Sequence, residues 1–239
     1  MKDTAITFTT NKGEITPHRD TVNFYSKSYA EPLKFAVGLC KCYGDSFSIE
    51  ERNAIIAWIT STQNYSLFKV EDFDESEQYH KDIEYFAICT SVKEFYPDGY
   101  IRGLAFEFEC SAPYGFSPEE TTSFVSTSAQ PASFVIHNTS HELSKIYYPR
   151  VVLTATATGE IRISNERISN SILTLDLKSG QTVTIDNYTG DVTDTLGLFK
   201  LSTDTNKQWL GLLPGDNTIS INGEASGKMI CRYIRKVGI

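Results

Sequence analysis

A mainly β protein with one helix, α+β in its first half and an all-β sandwich in its second, is what this sequence predicts. Three observations carry that expectation. One segment has helical apolar period behind a full capping signature, a Ser/Thr/Pro-rich stretch fills 111–132, and short alternating segments broken by Gly turns follow it to the end. The length of 239 residues exceeds a typical domain of about 100–150 residues. Two domains are therefore expected: an α+β domain over 1–115, a linker over 116–131 and a sandwich over 132–239.

The first ten residues alternate Thr with apolar side chains and lack a basic head followed by a long apolar run, so no export leader is expected there. Residues 32–42 (PLKFAVGLCKC) alternate and then run apolar, which suits a strand. A polar turn, Gly44-Asp45-Ser46, leads to Ser48, which has Glu51 three residues later. That spacing is a capping box, in which each side chain satisfies a backbone donor at the start of a helix. Ile55, Trp58 and Ile59 follow at i, i+3 and i+4, predicting a helix over 49–60 with Trp58 on its buried stripe. An acidic stretch over 71–84 separates it from strands at 85–89 and 100–110. In the latter, Leu104, Phe106 and Phe108 alternate with Ala105, Glu107 and Glu109, as in a half-exposed strand.

Beyond the 111–132 stretch (SAPYGFSPEETTSFVSTSAQPA) strands are expected at 134–136, 150–157, 160–164, 171–177, 181–185, 191–193, 198–201, 218–221 and 228–234. Turn signals such as Lys178-Ser179-Gly180, Thr189-Gly190 and Leu213-Pro214-Gly215-Asp216-Asn217 separate them. Short strands at this spacing with no helix between them predict a sandwich.

Composition excludes several function classes. Lys and Arg number 22 against 30 Asp and Glu, a net charge of −8, which repels a phosphate backbone, so no nucleic-acid partner is expected. No window approaches the roughly 20 apolar residues of a membrane-spanning helix, so no membrane insertion is expected. Five cysteines, an odd count, read as thiols rather than a disulfide framework. Cys40 and Cys42 would share one face of a strand, and no bridge is expected between them.

Motif fragments that imitate catalytic or metal sites each lack a necessary part. Gly44-Asp45-Ser46-Phe47 resembles the opening of a GDSL-type hydrolase block. However, no Asp precedes His18, His80, His137 or His141 by three residues, and none of them lies near the C-terminus to serve as an oriented base. His137 and His141 are four apart in a stretch that reads as a loop, and His141-Glu142-Leu143-Ser144-Lys145 departs from the zinc signature. Asp72, Asp74 and Ser76 open like a calcium loop, but Glu77 stands where Gly is required and Ile83 where a bidentate Glu is required. No glycine-rich phosphate loop occurs. No catalytic residue, cofactor or metal is expected, and the protein reads as a non-enzyme. The aromatics Tyr147, Tyr148, Tyr188, Phe199 and Trp209 could form a platform for stacking on sugars. Tyr188 and Trp209 are the candidate residues for saccharide or partner contact.

Further patterns run through the chain in order. In the first half, Ser48-Ile49-Glu50-Glu51 leads to Ile56-Ala57-Trp58-Ile59. Tyr100-Ile101-Arg102-Gly103-Leu104 then leads to Phe108-Glu109-Cys110-Ser111-Ala112-Pro113-Tyr114-Gly115. In the second half come Asn138-Thr139, Tyr148-Pro149-Arg150-Val151-Val152, Ile161-Arg162-Ile163-Ser164-Asn165 and Gly180 with Ile185-Asp186. The last is Trp209-Leu210-Gly211-Leu212-Leu213-Pro214-Gly215-Asp216-Asn217-Thr218-Ile219. In this order the chain resembles the distal tail proteins of siphophages, the hubs at the tip of long non-contractile tails.

The resemblance implies a first domain that assembles as a ring, usually hexameric, continuing the tail-tube channel, and a galectin-like or carbohydrate-module-like sandwich on the outside of that ring. It implies as partners further copies of the chain, the tail-tube protein, a tail-associated hub or lysin protein, and receptor-binding or adhesion proteins. The implied location is the tail tip of the virion, after synthesis in the bacterial host cytoplasm. The alternative function is that of a sandwich module that contacts host-surface saccharide.

Overall fold

The computed structural model describes residues 31–41, 45–70, 82–169 and 171–237. The first ten residues, Cys42, Gly44 and the calcium-like positions Asp72, Asp74, Ser76 and Glu77 lie outside the described residues. The chain divides into two compact units, Met1–Phe116 with Lys236–Ile239, and Ser117–Arg235.

The first unit contains β1 (Lys34–Cys40), α1 (Ile49–Thr60), β2 (Ser66–Lys69), β3 (Glu84–Phe95), β4 (Gly103–Cys110) and β5 (Gly115–Phe116). Its strands form an antiparallel sheet in the order β1-β4-β3-β5, with β2 also paired to β3. Pairing aligns Phe35 with Phe108, Val37 with Phe106 and Leu39 with Leu104, so apolar side chains meet across the strands. Two small clusters result. One holds Leu33, Tyr85, Ala87 and Cys110 with Phe35, Phe68 and Phe108 against them. The other holds Phe47, Leu104 and Phe106 under the helix residues Ile55, Ile56 and Ile59.

The helix has the bounds its sequence predicts, and its capping box is complete. Glu51 N–H donates to Ser48 Oγ at 3.1 Å, while Ser48 N–H donates to the Glu51 carboxylate at 2.8 Å. The expectation that Trp58 is buried is overturned: its side chain is 76% exposed. The stripe on the sheet is set by Ile55, Ile56 and Ile59, and Trp58, one residue before Ile59, points about 100° away from it. No residue of this helix is fully buried.

The second unit contains β6 (Glu120–Ser126), β7 (Ala132–Asn138), β8 (Arg150–Ala155), β9 (Gly159–Asn165), β10 (Ile172–Leu177), β11 (Thr182–Asp186), β12 (Asp191–Asp194), β13 (Gly215–Asn222), β14 (Ala225–Cys231) and β15 (Ile234–Arg235). Nine of these make two antiparallel sheets, in the orders β10-β9-β13-β7 and β12-β11-β8-β14-β6. Inward residues of both enclose a single core that includes Val151, Leu153, Ile161, Ile163, Leu175 and Ile219. The chain is mainly β with one helix among its described residues, and this part of it is a sandwich.

Two expectations are corrected here. Residues 116–131 are not a linker: they contain β6, which pairs with β14 along its whole length. Glu120-Thr121-Thr122-Ser123 is polar enough to read as a loop, yet Phe124 and Ser126 turn inward and the threonines suit an exposed sheet face. Residues 198–201 are not a strand. Asp194 accepts from the N–H groups of Leu196, Leu198 and Phe199, and Asp204 accepts from that of Lys200, so carboxylates take the place of a partner strand.

Residues 210–213 lie in the core of the sandwich almost without strand partners. Leu210, Gly211 and Leu212 are buried, so their backbone groups need internal partners. Leu210 N–H donates to Asn187 Oδ1 and Gly211 N–H to Ser171 Oγ, while Gly211 O accepts from Asn165 Nδ2. Leu212 exchanges both backbone bonds with Tyr147. Asn217 accepts from Leu213 N–H at 2.9 Å and donates to Leu213 O at 2.7 Å. Asn217→Ala removes that pair together with the bond from Asn165 Nδ2, leaving buried donors and acceptors unmet. A loss of roughly 2–4 kcal/mol is expected. Denaturant unfolding of the full chain measures it, and a loss below about 0.5 kcal/mol contradicts the account.

Candidate functional site

Each described residue of the motif fragments has a local structural setting. Asp45 is exposed and Ser46 half-buried on the approach to the helix. Phe47 beside them is a core residue whose N–H donates to Ile101 O at 2.8 Å, so this turn serves to anchor the helix start. His137 Nδ1 lies 2.6 Å from Asp216 Oδ1, both side chains exposed. His141 sits in the following loop, where its N–H donates to Ile234 O. Among the described residues no three His, Cys, Asp or Glu side chains are grouped to hold a metal ion.

Of the five candidate aromatics, three gather around the β11–β12 hairpin. Asp186 Oδ1 accepts from the N–H groups of Tyr188 and Thr189, and Gly190 N–H donates to Asp186 O, which closes a tight turn. Gly190 takes φ 77°, and a Cβ there would come within 3.0–3.2 Å of the Trp209 indole. The turn therefore rests directly on Trp209, itself half-buried against the core. Tyr188 stands out from it, 81% exposed, with the Tyr148 ring 6.4 Å away at 58°. Tyr147 and Phe199 go elsewhere, packing on the sandwich core. The Tyr147 ring lies 5.0 Å from that of Tyr233, and its hydroxyl accepts from Arg232 N–H. Burial pushes both phenols well above their ordinary value.

The first unit carries apolar surface that the sequence reading passed over. Phe95, Tyr96 and Tyr100 are 69%, 52% and 61% exposed at the β3–β4 hairpin. The turn Tyr96-Pro97-Asp98-Gly99 is a Pro-Asp-Gly signal flanked by aromatics, and that pattern was the available clue. Gly99 takes the left-handed position at φ 83°. Arg102 pairs with Asp98, at 2.5 Å for the shortest contact, and lies 5.5 Å over the Tyr100 ring. Its guanidinium holds the Asp98 carboxyl below its ordinary value.

Cys89, Cys110 and Cys231 are free thiols, Cys40 is exposed at the end of β1, and Cys42 lies outside the described residues. Burial pushes Cys110 and Cys231 up from 9.0 to about 11.

A sheet carrying one helix, followed in sequence by a nine-stranded sandwich, with aromatic side chains held out at hairpin turns, defines a β-rich protein of two compact units. Residues 1–112 match a family described as phage tail protein N-terminal domain, and residues 114–231 match its counterpart, described as phage tail C-terminal domain. Together these span nearly the whole chain, which belongs to this family of phage tail proteins. Among solved structures it is similar to the Dit protein of phage SPP1, at a TM-score of 0.56 and 14% identity, over 84% of this chain and 78% of that one. It is also similar to a chain of the phage P2 baseplate in its activated conformation with calcium, at a TM-score of 0.47 and 9% identity, over 87% of this chain and 80% of that one. No curated protein matches it.

Two outcomes are expected from this geometry. Folding favours the neutral forms of the buried Cys110 and Cys231, so between pH 9.0 and about 11 the unfolded chain loses these protons first. The stability they contribute is complete below that window and is lost as pH rises through it. Urea midpoints across the window should fall, and midpoints that hold steady contradict the burial of these thiols. Gly190→Ala forces a side chain onto the left-handed backbone and against the indole, with an expected loss of about 1–2 kcal/mol. A thermal melt that follows Trp209 emission checks it.

Proposed function

We propose that this chain is the distal tail protein of a siphophage tail tip, a hub whose first unit closes into a ring, usually of six copies, that continues the tail tube. The observation that carries this reading is the likeness in fold to the SPP1 Dit protein over most of both chains. That protein is described as a paradigm of the hub adsorption apparatus in phages infecting Gram-positive bacteria. The packing of the first unit supports self-association. Among its described residues Ile49, Trp58, Tyr65, Leu67, Phe95, Tyr96 and Tyr100 are exposed. Three of these, Phe95, Tyr96 and Tyr100, share the β3–β4 hairpin, and grouped apolar surface of this kind supports a contact region.

In this reading the neighbours are the tail-tube protein on one side and a tail-associated hub or lysin protein on the other. The second unit, through Tyr188 and the hairpin resting on Trp209, meets receptor-binding or adhesion proteins. The protein is made in the host cytoplasm and resides in the virion, and its work is subunit contact rather than catalysis. Native mass measurement of the full chain tests the ring. A single closed species of about six chain masses is expected, because cyclic symmetry closes at a fixed number. A monomer at high concentration, or an open ladder of sizes, overturns it.

A further inference from the structure

Two patches of the first unit are held rigidly in the open. One is Trp58 on the last turn of α1, among the exposed small side chains Ala54 and Ala57. That helix is fixed by its capping box, by Lys41 on Glu51 at 2.6 Å and by Arg52 Nε on Glu94 at 2.6 Å. The other is the β3–β4 hairpin with Phe95, Tyr96 and Tyr100, fixed by Arg102 N–H on Phe95 O and by the Asp98–Arg102 pair. Aromatic side chains held in place before association lose little freedom when they bind.

We propose that copies of this chain join head to tail, Trp58 of one copy packing against the Phe95, Tyr96 and Tyr100 hairpin of the next. This rests on the reading of the first unit as self-associating, and it adds which two surfaces meet. A ring needs two different faces on each protomer, each complementary to the other, and the unit offers two different aromatic patches. Area favours a protein surface as the occupant. At about 150–250 Å² per aromatic side chain, the hairpin rings leave roughly 300–450 Å² uncovered at their measured exposures. A stable interface needs about 800 Å² per partner, so these rings supply the apolar centre of one. Trp is the residue most typical of such centres, along with Tyr and Arg, and Arg102 lies over Tyr100 within the hairpin patch.

The test uses the full chain at matched concentrations, with mass read by light scattering and native mass spectrometry, and folding read by far-UV circular dichroism. Trp58→Ala removes one face, and the double variant Phe95→Ser with Tyr100→Ser removes the other. Each alone should raise the concentration of half-assembly by about thirty-fold or more, the loss typical of a central anchor. Mixed in equal amounts, the two variants should form dimers and nothing larger, because one intact pair of faces survives between them. If Trp58→Ala loses its helix through lost packing, Trp58→Lys, whose apolar stem still covers the neighbouring helix surface while its charge opposes an apolar contact, serves in its place. Variants that assemble like the wild type overturn these contacts and leave the ring standing, with the patches then belonging to another tail protein. A mixture that yields no dimer overturns the head-to-tail pairing. A wild type that is monomeric at every concentration overturns both the pairing and the ring.

Discussion

The sandwich is organised around residues 210–213, whose backbone has a single bridge, Leu212 with Tyr147, where a buried strand would have a full ladder. Asn187, Ser171, Asn165 and Asn217 supply most of the missing partners, and Asn138 donates a further bond to Leu212 O. A buried amide without a partner costs about twice what a satisfied one contributes, so these side chains and this segment have to be placed together. They come from the ends of β7, β9, β11 and β13 and from the residue before β10. The segment therefore ties strands of both sheets to one another. Gly211 is part of the same constraint, since a Cβ there would come within 2.5 Å of Ile146.

That constraint also fixes the outward surface. Asn187 donates to Pro149 O while accepting from Leu210 N–H, which pins the start of the β11–β12 turn next to the residue following Trp209. The turn then lies on the indole, and Tyr188 is carried out beside Tyr148. Packing inside the sandwich thus decides which aromatics are structural and which reach solvent. The first unit has a different balance. Its helix buries no residue completely, and ion pairs such as Arg52–Glu94 hold that helix to the sheet.

Much of this was legible from local pattern. The capping box and the apolar spacing marked α1, and strict alternation marked β4, because helix starts and half-buried strands write their geometry into neighbouring residues, whereas β13 begins at Gly215 inside the stretch that reads as a turn. Strand β6 escaped because Thr and Ser look alike in a loop and on the solvent face of a sheet. The 198–201 segment misled for the opposite reason: its alternation of Leu and Lys is that of a strand, but two aspartates capture its amides locally. Cys110 and Cys231 read as thiols from their number alone, and only packing shows that burial raises both.

By itself the sequence determined the mainly β class, the position of the helix, most of the strands and the acidic charge balance. Each of these follows from interactions within a few residues or from composition. Tertiary structure decided what distant residues do to one another: that Trp58 faces outward while Ile59 faces in, that Gly190 settles on Trp209, and that asparagines drawn from four strand ends close around 210–213. Such pairings join residues far apart in sequence, 116 positions where Tyr233 N–H donates to Ser117 Oγ. No local periodicity encodes them, because they depend on which strands become neighbours once the two sheets have closed over a common core.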